Sequence, residues 1–355
     1  MSRPARVVID RAAAKHNLSV ARSLSPNSKI LAIVKADAYG HGLVEMARSL
    51  QESDAFGVVS TEEAIVLRES GVTHPIVLLE GFFEKSEIAV LGEYTLESVI
   101  HNHEQIEMLR NAKVRSLSVW LKFNTGMNRL GFDIRELENV YTVMKPISNR
   151  LVIMSHLANA NIPDDPSVES QIRLFQKATL AYGEDKTLAN SGGVLGWPDS
   201  HFEWVRPGLM LYGVSPFSGI TGQKLGIKPV MQVLSKLINV RFVKAGESVG
   251  YGSEFICPEN MMIGVAAYGY ADGYPRNLKA GPPVLVNGEK AKIISSSMDM
   301  IMVDLRGVNN PSVGDDVIFW GDQLPVELVS ASLSTIPYEL LCGVRRRSRH
   351  KELVI

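Results

Sequence analysis

A lysine at the end of an apolar run is the first residue of this chain that could do chemistry. In AIVKADAYGHG, residues 32–42, a run typical of a buried strand ends on Lys35, and a polar loop with Tyr39 and His41 follows. Such a lysine either extends its ammonium group to solvent or acts as a nucleophile. In the second case burial would lower the pKa of the amine and free it to form a Schiff base with a carbonyl group.

Other apolar runs also finish on polar groups. Any one of these positions is explained by a strand that ends where polarity resumes. The explanation is weaker for Lys35, Lys122, His156 and Arg206 together, because these are bulky polar groups beside apolar residues. The polar residues at or near the ends of the eight runs are Lys35, Ser60, Glu80, His101, Lys122, His156, Ser191 and Arg206.

The elements that must position these groups alternate along the first two-thirds of the chain. Apolar runs typical of strands cover residues 29–36, 55–60, 74–81, 96–102, 117–124, 150–157, 186–192 and 202–208. Helical periodicity appears at 61–70, 104–112, 134–145 and 168–182, the first with a capping box from Ser60 to Glu63. Eight strands alternating with helices predict an α/β fold of the TIM type, a (β/α)8 barrel, whose active site lies at the carboxyl ends of the strands.

Two glycine-containing segments after the last two predicted strands favour a phosphorylated ligand. ANSGG (189–193) offers a hydroxyl and flexible backbone N–H groups, and RPGLMLYG (206–213) resembles the start of a short helix. Loops after the last two strands of such barrels often bind phosphate. Together with Lys35 they favour a Schiff base with pyridoxal 5'-phosphate (PLP), whereas an aldolase would use its substrate's carbonyl.

A Gly-, Pro- and Ser-rich stretch at 215–229 predicts a domain boundary. The barrel is expected over residues 10–228 and a mainly antiparallel β domain over 229–355, with an N-terminal strand at 1–9 joining that domain. Beyond the boundary, β-rich runs follow one another without long helical patterns, and 327–333 is the segment with helical character.

Composition indicates an ordinary globular protein of 355 residues, 45% hydrophobic and 21% charged. A formal net charge of −1 argues against a nucleic-acid partner. Cys257 and Cys342 give no metal-site spacing, and HNHE (101–104) lacks the wider pattern of a metal site, so no metal is expected. Without an apolar run long enough for a membrane, we expect a cytoplasmic protein.

Several motifs, in order and at family-like spacing over almost the whole chain, closely resemble those of the alanine racemases. They are VKADAYGHG (34–42), NTGMNRLGF (124–132), VRPGLMLYG (205–213), VGYG (249–252), YGYADGYPR (268–276), SMDM (297–300) and PYELL (337–341). The resemblance implies an α/β barrel joined to a β domain. It also implies a PLP-dependent homodimer, with active sites shared between subunits, that interconverts L-alanine and D-alanine.

The resemblance implies two bases on opposite faces of the substrate's α-carbon. Lys35 would hold PLP and act as one base, and Tyr251 from the other subunit would act as the second. A tyrosine has an ordinary pKa of about 10, so it needs a nearby cation, which Arg206 would supply through His156. Arg206 would also face the pyridine nitrogen, and a guanidinium keeps its proton, with an ordinary pKa above about 12.

Further roles follow from the same resemblance. Arg129 would orient the substrate carboxylate, and Lys122 matches a lysine that is often carbamylated, whose anion would hold Arg129 in place. Met298 and Asp299 match the second subunit's contribution to the substrate pocket. The positions that match phosphate-binding residues are Tyr39, Ser191, Gly208, Leu209 and Tyr338.

Three positions depart from the family pattern. Asn161 stands where relatives commonly have aspartate and Ser295 where they commonly have arginine, which predicts a lost ion pair and a more permissive entrance. Asn124 replaces another usual aspartate, so its support of Lys122 is in question.

Alternatives remain open at this point. A broad-specificity amino-acid racemase and a PLP-dependent decarboxylase of the same fold are the nearest. Decarboxylases of this architecture pair the pyridine nitrogen with a carboxylate, whereas this chain offers Arg206. A PLP carrier without turnover would lack a β domain, and an aldolase leaves Tyr251 and Arg206 without roles.

Overall fold

The computed structural model describes residues 3–112, 117–278, 281–344, 347 and 351–354. The chain divides into two compact units. One consists of the described residues of 15–211 and of 216–218, and we call it the barrel unit. The other, the β domain, consists of the described residues up to 14, residues 212–215 and the described residues from 219 onward.

The barrel unit follows the N-terminal strand β1 (Arg6–Asp10). Its strands are β2 (Lys29–Ile33), β3 (Ala55–Val58), β4 (Ile76–Leu78), β5 (Glu97–Ile100), β6 (Leu117–Asn124), β7 (Phe132–Asp133), β8 (Ser148–Met154), β9 (Asp185–Thr187) and β10 (Trp204–Val205). The helices from here to the end of this unit are α1 (Arg11–Leu24), α2 (Lys35–Tyr39), α3 (Leu43–Ser49), α4 (Thr61–Glu69), α5 (Glu87–Glu93), α6 (His103–Asn111), α7 (Leu137–Met144), α8 (Pro166–Thr179) and α9 (Ser191–Gly196).

Parallel pairing closes the sheet of this unit into a barrel. Over the described residues the pairing runs β2-β3-β4-β5-β6-β8-β9-β10 and returns from β10 to β2, while the two-residue strand β7 lies outside the ring beside β6. Strands β3, β4 and β5 are buried at every position, as expected for parallel strands covered on both faces. Each of the eight predicted runs overlaps one barrel strand, so the predicted parallel barrel is confirmed.

Aromatic and charged side chains fill the amino-terminal end of the barrel. The Arg150 guanidinium carbon lies 5.7 Å from the ring centre of Trp120 and 5.1 Å from that of Trp204. The same guanidinium donates to Glu97 at 3.1 and 3.2 Å and to Asp185 at 3.4 Å. The two indole N–H groups donate to the same carboxylates, Trp120 to Glu97 at 2.6 Å and Trp204 to Asp185 at 2.9 Å. We call these five residues the floor of the barrel.

The β domain is built mainly from antiparallel strands, as predicted. Its strands after β1 are β11 (Met231–Val243), β12 (Ser248–Val249), β13 (Phe255–Ile256), β14 (Met261–Ala266), β15 (Pro283–Val286), β16 (Glu289–Ser296), β17 (Ile301–Asp304), β18 (Asp316–Trp320) and β19 (Lys351–Val354). In the described part of this domain the order β11-β14-β17-β16-β15-β18 closes on itself, because the long strand β11 pairs with both β14 and β18.

Strand β1 extends this sheet. It pairs antiparallel with β11, with Val7 opposite Val233, and parallel with β19. The prediction of helix at 327–333 is confirmed by α10 (Val326–Ser332), and a helix that the pattern did not predict, α11 (Pro337–Gly343), follows it. No helix within the described ranges is long and apolar enough to cross a bilayer.

Candidate active site at the carboxyl end of the barrel

The short element α2 (Lys35–Tyr39) after β2 is a left-handed turn beyond Lys35 rather than a right-handed α-helix. Residues 36–39 have φ angles of 55°, 52°, 53° and 52°, although none of them is glycine. Left-handed backbone costs about 1–2 kcal/mol per non-glycine residue, so surrounding contacts must hold this turn. Glu63 accepts the N–H of Asp37 at 3.3 Å, and Asp37 in turn accepts the N–H of Leu43 at 2.7 Å. The Nδ1 atom of His41 lies 2.9 Å from each of two carbonyl oxygens of the turn.

Only one of the two hydrogen bonds of the predicted capping box at α4 is present. The Ser60 hydroxyl accepts the N–H of Glu63 at 3.4 Å, as predicted. The Glu63 carboxylate, however, accepts from Val59 at 3.0 Å and from Asp37. It therefore ties the start of α4 to the left-handed turn, which explains how a segment without glycine keeps this conformation.

Four cations and a histidine converge at the carboxyl ends of the strands. Lys122, near the end of β6, is 7% exposed. Burial lowers its pKa to about 8, and the nearby charges of Arg206, Arg129 and Lys35 act in the same direction. The sequence-predicted residues of the barrel therefore do lie together, in a strongly positive site suited to anionic ligands.

Arg206 is fixed at the centre of this group. It is 3% exposed, and its guanidinium donates to Thr187 Oγ1 at 2.6 Å, Ser155 O at 2.7 Å and Leu188 O at 3.3 Å. Burial and the charge of Arg129 lower the pKa of Arg206 from its ordinary value to about 9. At neutral pH the guanidinium nevertheless remains protonated.

His156 is neutral and accepts a hydrogen bond from Arg206. The Arg206 Nη2 atom lies 3.1 Å from His156 Nδ1. Burial, followed by the charge of Arg206, lowers the pKa of His156 well below its ordinary value. Because a guanidinium has only donors, the Nδ1 atom of His156 must accept this hydrogen bond. The predicted contact between Arg206 and His156 is therefore present.

Three elements bring hydroxyl and backbone N–H groups together beside β10. The Ser191 hydroxyl, at the start of α9, accepts from the backbone N–H of Gly208 at 2.9 Å and of Met210 at 3.3 Å. A Cβ atom on Gly208 would lie 2.7 Å from the Tyr39 hydroxyl, so this close approach requires glycine. Leu209 follows in a short 3-10 turn. Hydroxyl and N–H donors in this arrangement suit a phosphate group.

The loop after β6 carries Arg129 and is organised by Asn124. The Asn124 side-chain oxygen accepts from the N–H groups of Gly126 and Asn128, both at 3.0 Å, and its amide donates to the Asn128 side chain at 2.7 Å. Asn124 therefore shapes the loop of Arg129. A cleft lined by Lys122, Arg129 and other residues of this loop and of the β8 end lies beside it.

The β domain holds the remaining predicted site residues. Tyr251 is 76% exposed, in a 3-10 turn between Gly250 (φ 80°) and Gly252 (φ 68°). Met298 and Asp299 are exposed in the turn between β16 and β17, and Tyr338 is in the first turn of α11. Their participation in the barrel site remains a prediction.

Ser295 lies beside the turn that carries Tyr251, and the more permissive entrance stays a prediction. It is 1% exposed on β16, and a Cβ atom on Gly250 would lie 2.1 Å from its hydroxyl oxygen. Within the β domain an arginine at this position would meet the turn that carries Tyr251. Asn161 is exposed in the loop after β8.

Two sequence profiles and many full-length relatives match this chain. A profile described as the N-terminal domain of alanine racemase matches residues 9–216, and one described as the C-terminal domain matches residues 230–351. An alanine racemase from Shewanella woodyi is 46% identical over 351 residues, with 96% of this chain and 97% of the relative covered. The chain belongs to the alanine racemase family. The resemblance inferred from the motifs is thereby confirmed, and membership places the protein among the isomerases.

Other members of the alanine racemase family extend this comparison. A biosynthetic enzyme from Escherichia coli O6:H1 is 45% identical, with 97% of each chain covered, and a catabolic one from Pseudomonas putida is 43% identical, with 98% of each covered. Identity thus does not separate the two roles. The crystal structure of the biosynthetic alanine racemase from Pseudomonas aeruginosa has a TM-score of 0.96 and 40% identity over 99% of this chain and 100% of that one.

Sequence reasoning missed the residues that hold the predicted ones. Thr187 and Ser155 bind Arg206, and Asp37 and Glu63 hold the left-handed turn. Thr187 and Ser155 follow the same rule as the predicted residues, since each lies at the carboxyl end of a barrel strand. The capping-box pattern pointed to Glu63, but it did not predict the hydrogen bond from Asp37, which depends on a neighbouring strand end. Among the described residues, no three His, Cys, Asp or Glu side chains lie together as metal ligands would.

Proposed function

We propose that this protein interconverts L-alanine and D-alanine with PLP, using Lys35 and Tyr251 of a second subunit as two bases. The observation that carries the proposal is the geometry around Arg206. A buried, protonated guanidinium bonded to a neutral histidine lies in the same site as Lys35, beside a group of phosphate donors. A carrier or a substrate-Schiff-base aldolase has no use for this combination.

The residues present fit PLP. Tyr39, Ser191 and the N–H groups of Gly208 and Leu209 would bind its phosphate, and Tyr338 would add a hydroxyl. The glycine at 208 supports this assignment, because any side chain there would fill the space beside the Tyr39 hydroxyl. A solved relative from Bartonella henselae, 31% identical with a TM-score of 0.90, is described as having covalently bound PLP. When bound, PLP draws electrons from the α-carbon of an amino acid and makes its α-hydrogen acidic.

Arg206 would donate a hydrogen bond to the pyridine nitrogen of PLP. Its partners Thr187, Ser155 and His156 hold the guanidinium in one orientation, and it stays charged at neutral pH. Because a guanidinium only donates, Arg206 would leave that nitrogen as an acceptor and would limit the negative charge that the cofactor takes up. Such a limit favours return of the proton to the α-carbon over decarboxylation and transamination.

Lys35 and Tyr251 would act on opposite faces of the α-carbon. Lys35 would hold PLP through its Nζ atom and, once freed by the substrate, exchange a proton on one face. Tyr251 protrudes with three-quarters of its surface exposed, as a residue that serves a second subunit requires. In the resulting homodimer its hydroxyl would contact His156, so that the charge of Arg206 supports the phenolate.

Arg129 would bind the substrate carboxylate, with Met298 and Asp299 of the second subunit closing the pocket. Lys122 would reach its working form as a carbamate. With a pKa of about 8, a useful fraction of Lys122 is the neutral amine, which is the form that reacts with carbon dioxide. The carbamate would place an anion among Arg129, Arg206 and Lys35, and it would replace repulsion by attraction.

The first test is a spectrum and an exchange experiment. The purified protein should show an absorbance band of bound PLP, and incubation with L-alanine in deuterated water should give D-alanine and α-deuterated alanine. Lys35→Ala should abolish both signals, whereas Lys177→Ala, an exposed control on α8, should keep them. Absence of the band rejects PLP. A band without α-deuterium rejects racemisation, and equal turnover of many amino acids favours the broad-specificity racemase.

Mixed dimers test the second subunit's contribution. Homodimers of Lys35→Ala chains and homodimers of Tyr251→Ala chains should both be inactive. Mixed together, they should recover activity, because one of the two shared sites is then intact. If no mixture recovers activity, each site uses the lysine and tyrosine of one chain.

A further inference from the structure

The turn that carries Met298 and Asp299 is a tight hairpin connection between β16 and β17. We call residues 297–300 the substrate turn, a name that rests on the proposed function. Ser297 closes it, since its backbone N–H and its hydroxyl donate to the Met300 carbonyl at 2.8 and 2.9 Å. Met298 at the tip is 53% exposed. The hairpin itself therefore fixes the base of the turn and leaves its tip without internal support.

The substrate turn rests on the segment 269–272 of the YGYADGYPR motif. The N–H of Tyr270 donates to Ser297 O at 3.1 Å, and the N–H of Ala271 donates to Met298 O at 3.0 Å. A Cβ atom on Gly269 would lie 2.4 Å from both of these carbonyl oxygens. The two segments thus lie in direct backbone contact, and what fixes one of them fixes the other.

A fully buried carboxylate, that of Asp272, lies under this contact. It accepts the N–H of Gly269 at 2.8 Å. Arg3 donates to it from both terminal nitrogens, at 2.5 and 2.7 Å, and Arg347 donates from Nε at 2.8 Å and from Nη2 at 3.4 Å. A buried carboxylate needs such partners, because an uncompensated buried charge is strongly destabilising.

Both arginines also reach the substrate turn itself. Arg3 donates to the carbonyl oxygen of Asp299 at 2.8 Å, and Arg347 forms an ion pair with the Asp299 carboxylate. The hydrogen bonds to Asp272 and Asp299 raise the pKa of Arg347 above its ordinary value. Each guanidinium therefore connects Asp272 with Asp299 in the turn. Arg3 contacts the backbone of Asp299, and Arg347 contacts its side chain.

We propose that Arg3 and Arg347, anchored on Asp272, are positioning residues that hold the substrate turn and neutralise Asp299 for recognition of a small α-amino acid. The inference deepens the proposed function, in which Met298 and Asp299 close the substrate pocket. An amino acid brings a carboxylate to that pocket, and an unneutralised Asp299 would repel it. Arg347 thus acts on affinity through charge, whereas Arg3 acts through the position of the backbone.

The test compares the holoenzyme with Arg3→Ala, Arg347→Ala and Arg347→Lys, with Arg306→Ala as control. Arg306 is in the same domain and also bridges two carboxylates, Asp304 and Glu259. Hydrogen–deuterium exchange of residues 297–300 reports the turn without any need for turnover. KM and kcat for L-alanine at low salt and at about 0.5 M salt report recognition, because salt screens exposed charges.

Arg3→Ala and Arg347→Ala should both speed exchange in the substrate turn. Arg347→Ala should also raise KM about tenfold with kcat nearly unchanged. This effect is smaller than the roughly 100-fold loss of rate expected when a reacting group is misplaced by 1 Å. High salt should recover part of that loss, and Arg347→Lys should recover most of it. Arg306→Ala should change neither readout.

Two results would overturn the inference. One is unchanged exchange at 297–300 in both alanine variants. The other is a lowered melting temperature with KM unaltered, which would make the arginines structural only. If the wild-type protein exchanges no α-hydrogen at all, the proposed function fails, and the exchange data alone then decide whether the arginines hold the turn.

Discussion

Lys122 is a buried cation whose removal should stabilise the barrel near neutral pH. Its side chain is 7% exposed, and its pKa falls from 10.5 to about 8, first because of burial and then because of the charges of Arg206 and Arg129. In the unfolded chain the group returns to its ordinary value. The difference corresponds to about 3 kcal/mol, which is the cost of keeping protonated Lys122 in the folded protein below pH 8.

The sign of the pH dependence follows from proton binding. Between pH 8 and 10.5 the unfolded chain keeps a proton that folded Lys122 has released, so its contribution to stability rises with pH through this window. Lys122→Met keeps a long apolar side chain without the charge. We expect it to raise the free energy of unfolding by up to about 3 kcal/mol at pH 7 and to give almost no gain at pH 10.5.

Urea unfolding in buffer without carbon dioxide measures this difference. Tryptophan fluorescence is a suitable signal, since Trp120, Trp197 and Trp204 belong to the barrel unit. The control Lys177→Met, on the exposed face of α8, should change stability by less than about 0.5 kcal/mol at every pH. A gain that is constant from pH 7 to 10.5, or a loss at pH 7, refutes the reasoning. Added bicarbonate should stabilise the wild-type protein alone if Lys122 forms a carbamate.

Three other substitutions test separate parts of the barrel. Gly208→Ala should weaken PLP binding about tenfold or more in an absorbance titration, because its Cβ would lie 2.7 Å from the Tyr39 hydroxyl; unchanged binding would remove the phosphate assignment. Arg150→Ala should lower the free energy of unfolding by about 3 kcal/mol in urea, since it leaves a largely buried carboxylate of the floor without its cation, whereas KM should stay the same. Asn124→Ala should raise KM for alanine about tenfold by releasing the N–H of Asn128, and Asn124→Asp, which keeps the accepting oxygen, should not; equal effects of the two would argue against this role.

The alternation of strands and helices was enough to predict the barrel and the strand ends that form its site. Parallel strands buried on both faces are nearly continuous apolar runs, so their ends are easy to recognise in sequence. Lys35, Lys122, His156 and Arg206 were found in this way. Helix α11 was missed because seven residues are too few to show a clear helical periodicity, although Pro337 at its first position is a known helix start.

Other features depend on contacts that a local pattern does not contain. The left-handed turn at 36–39 contains no glycine, which is the usual sequence signal for this conformation. Hydrogen bonds of Glu63 and Asp37 hold it instead. The lowered pKa of Arg206 follows from complete burial beside a second cation. Asn124 looked like a weakened support for Lys122, but its amide shapes the neighbouring loop. Each of these depends on which groups the fold brings into contact.

The floor of the barrel determines how a substrate can reach the site. Trp120, Trp204 and Arg150 plug the amino-terminal end of a barrel whose interior is packed. Whatever reaches Lys35 must therefore arrive and depart through the opposite end. Both enantiomers of the substrate would use the same entrance. Each would therefore compete with the other for access to the site as well as for binding. In a site with a single entrance, the ratio of the two enantiomers in solution would directly limit the net conversion of one into the other.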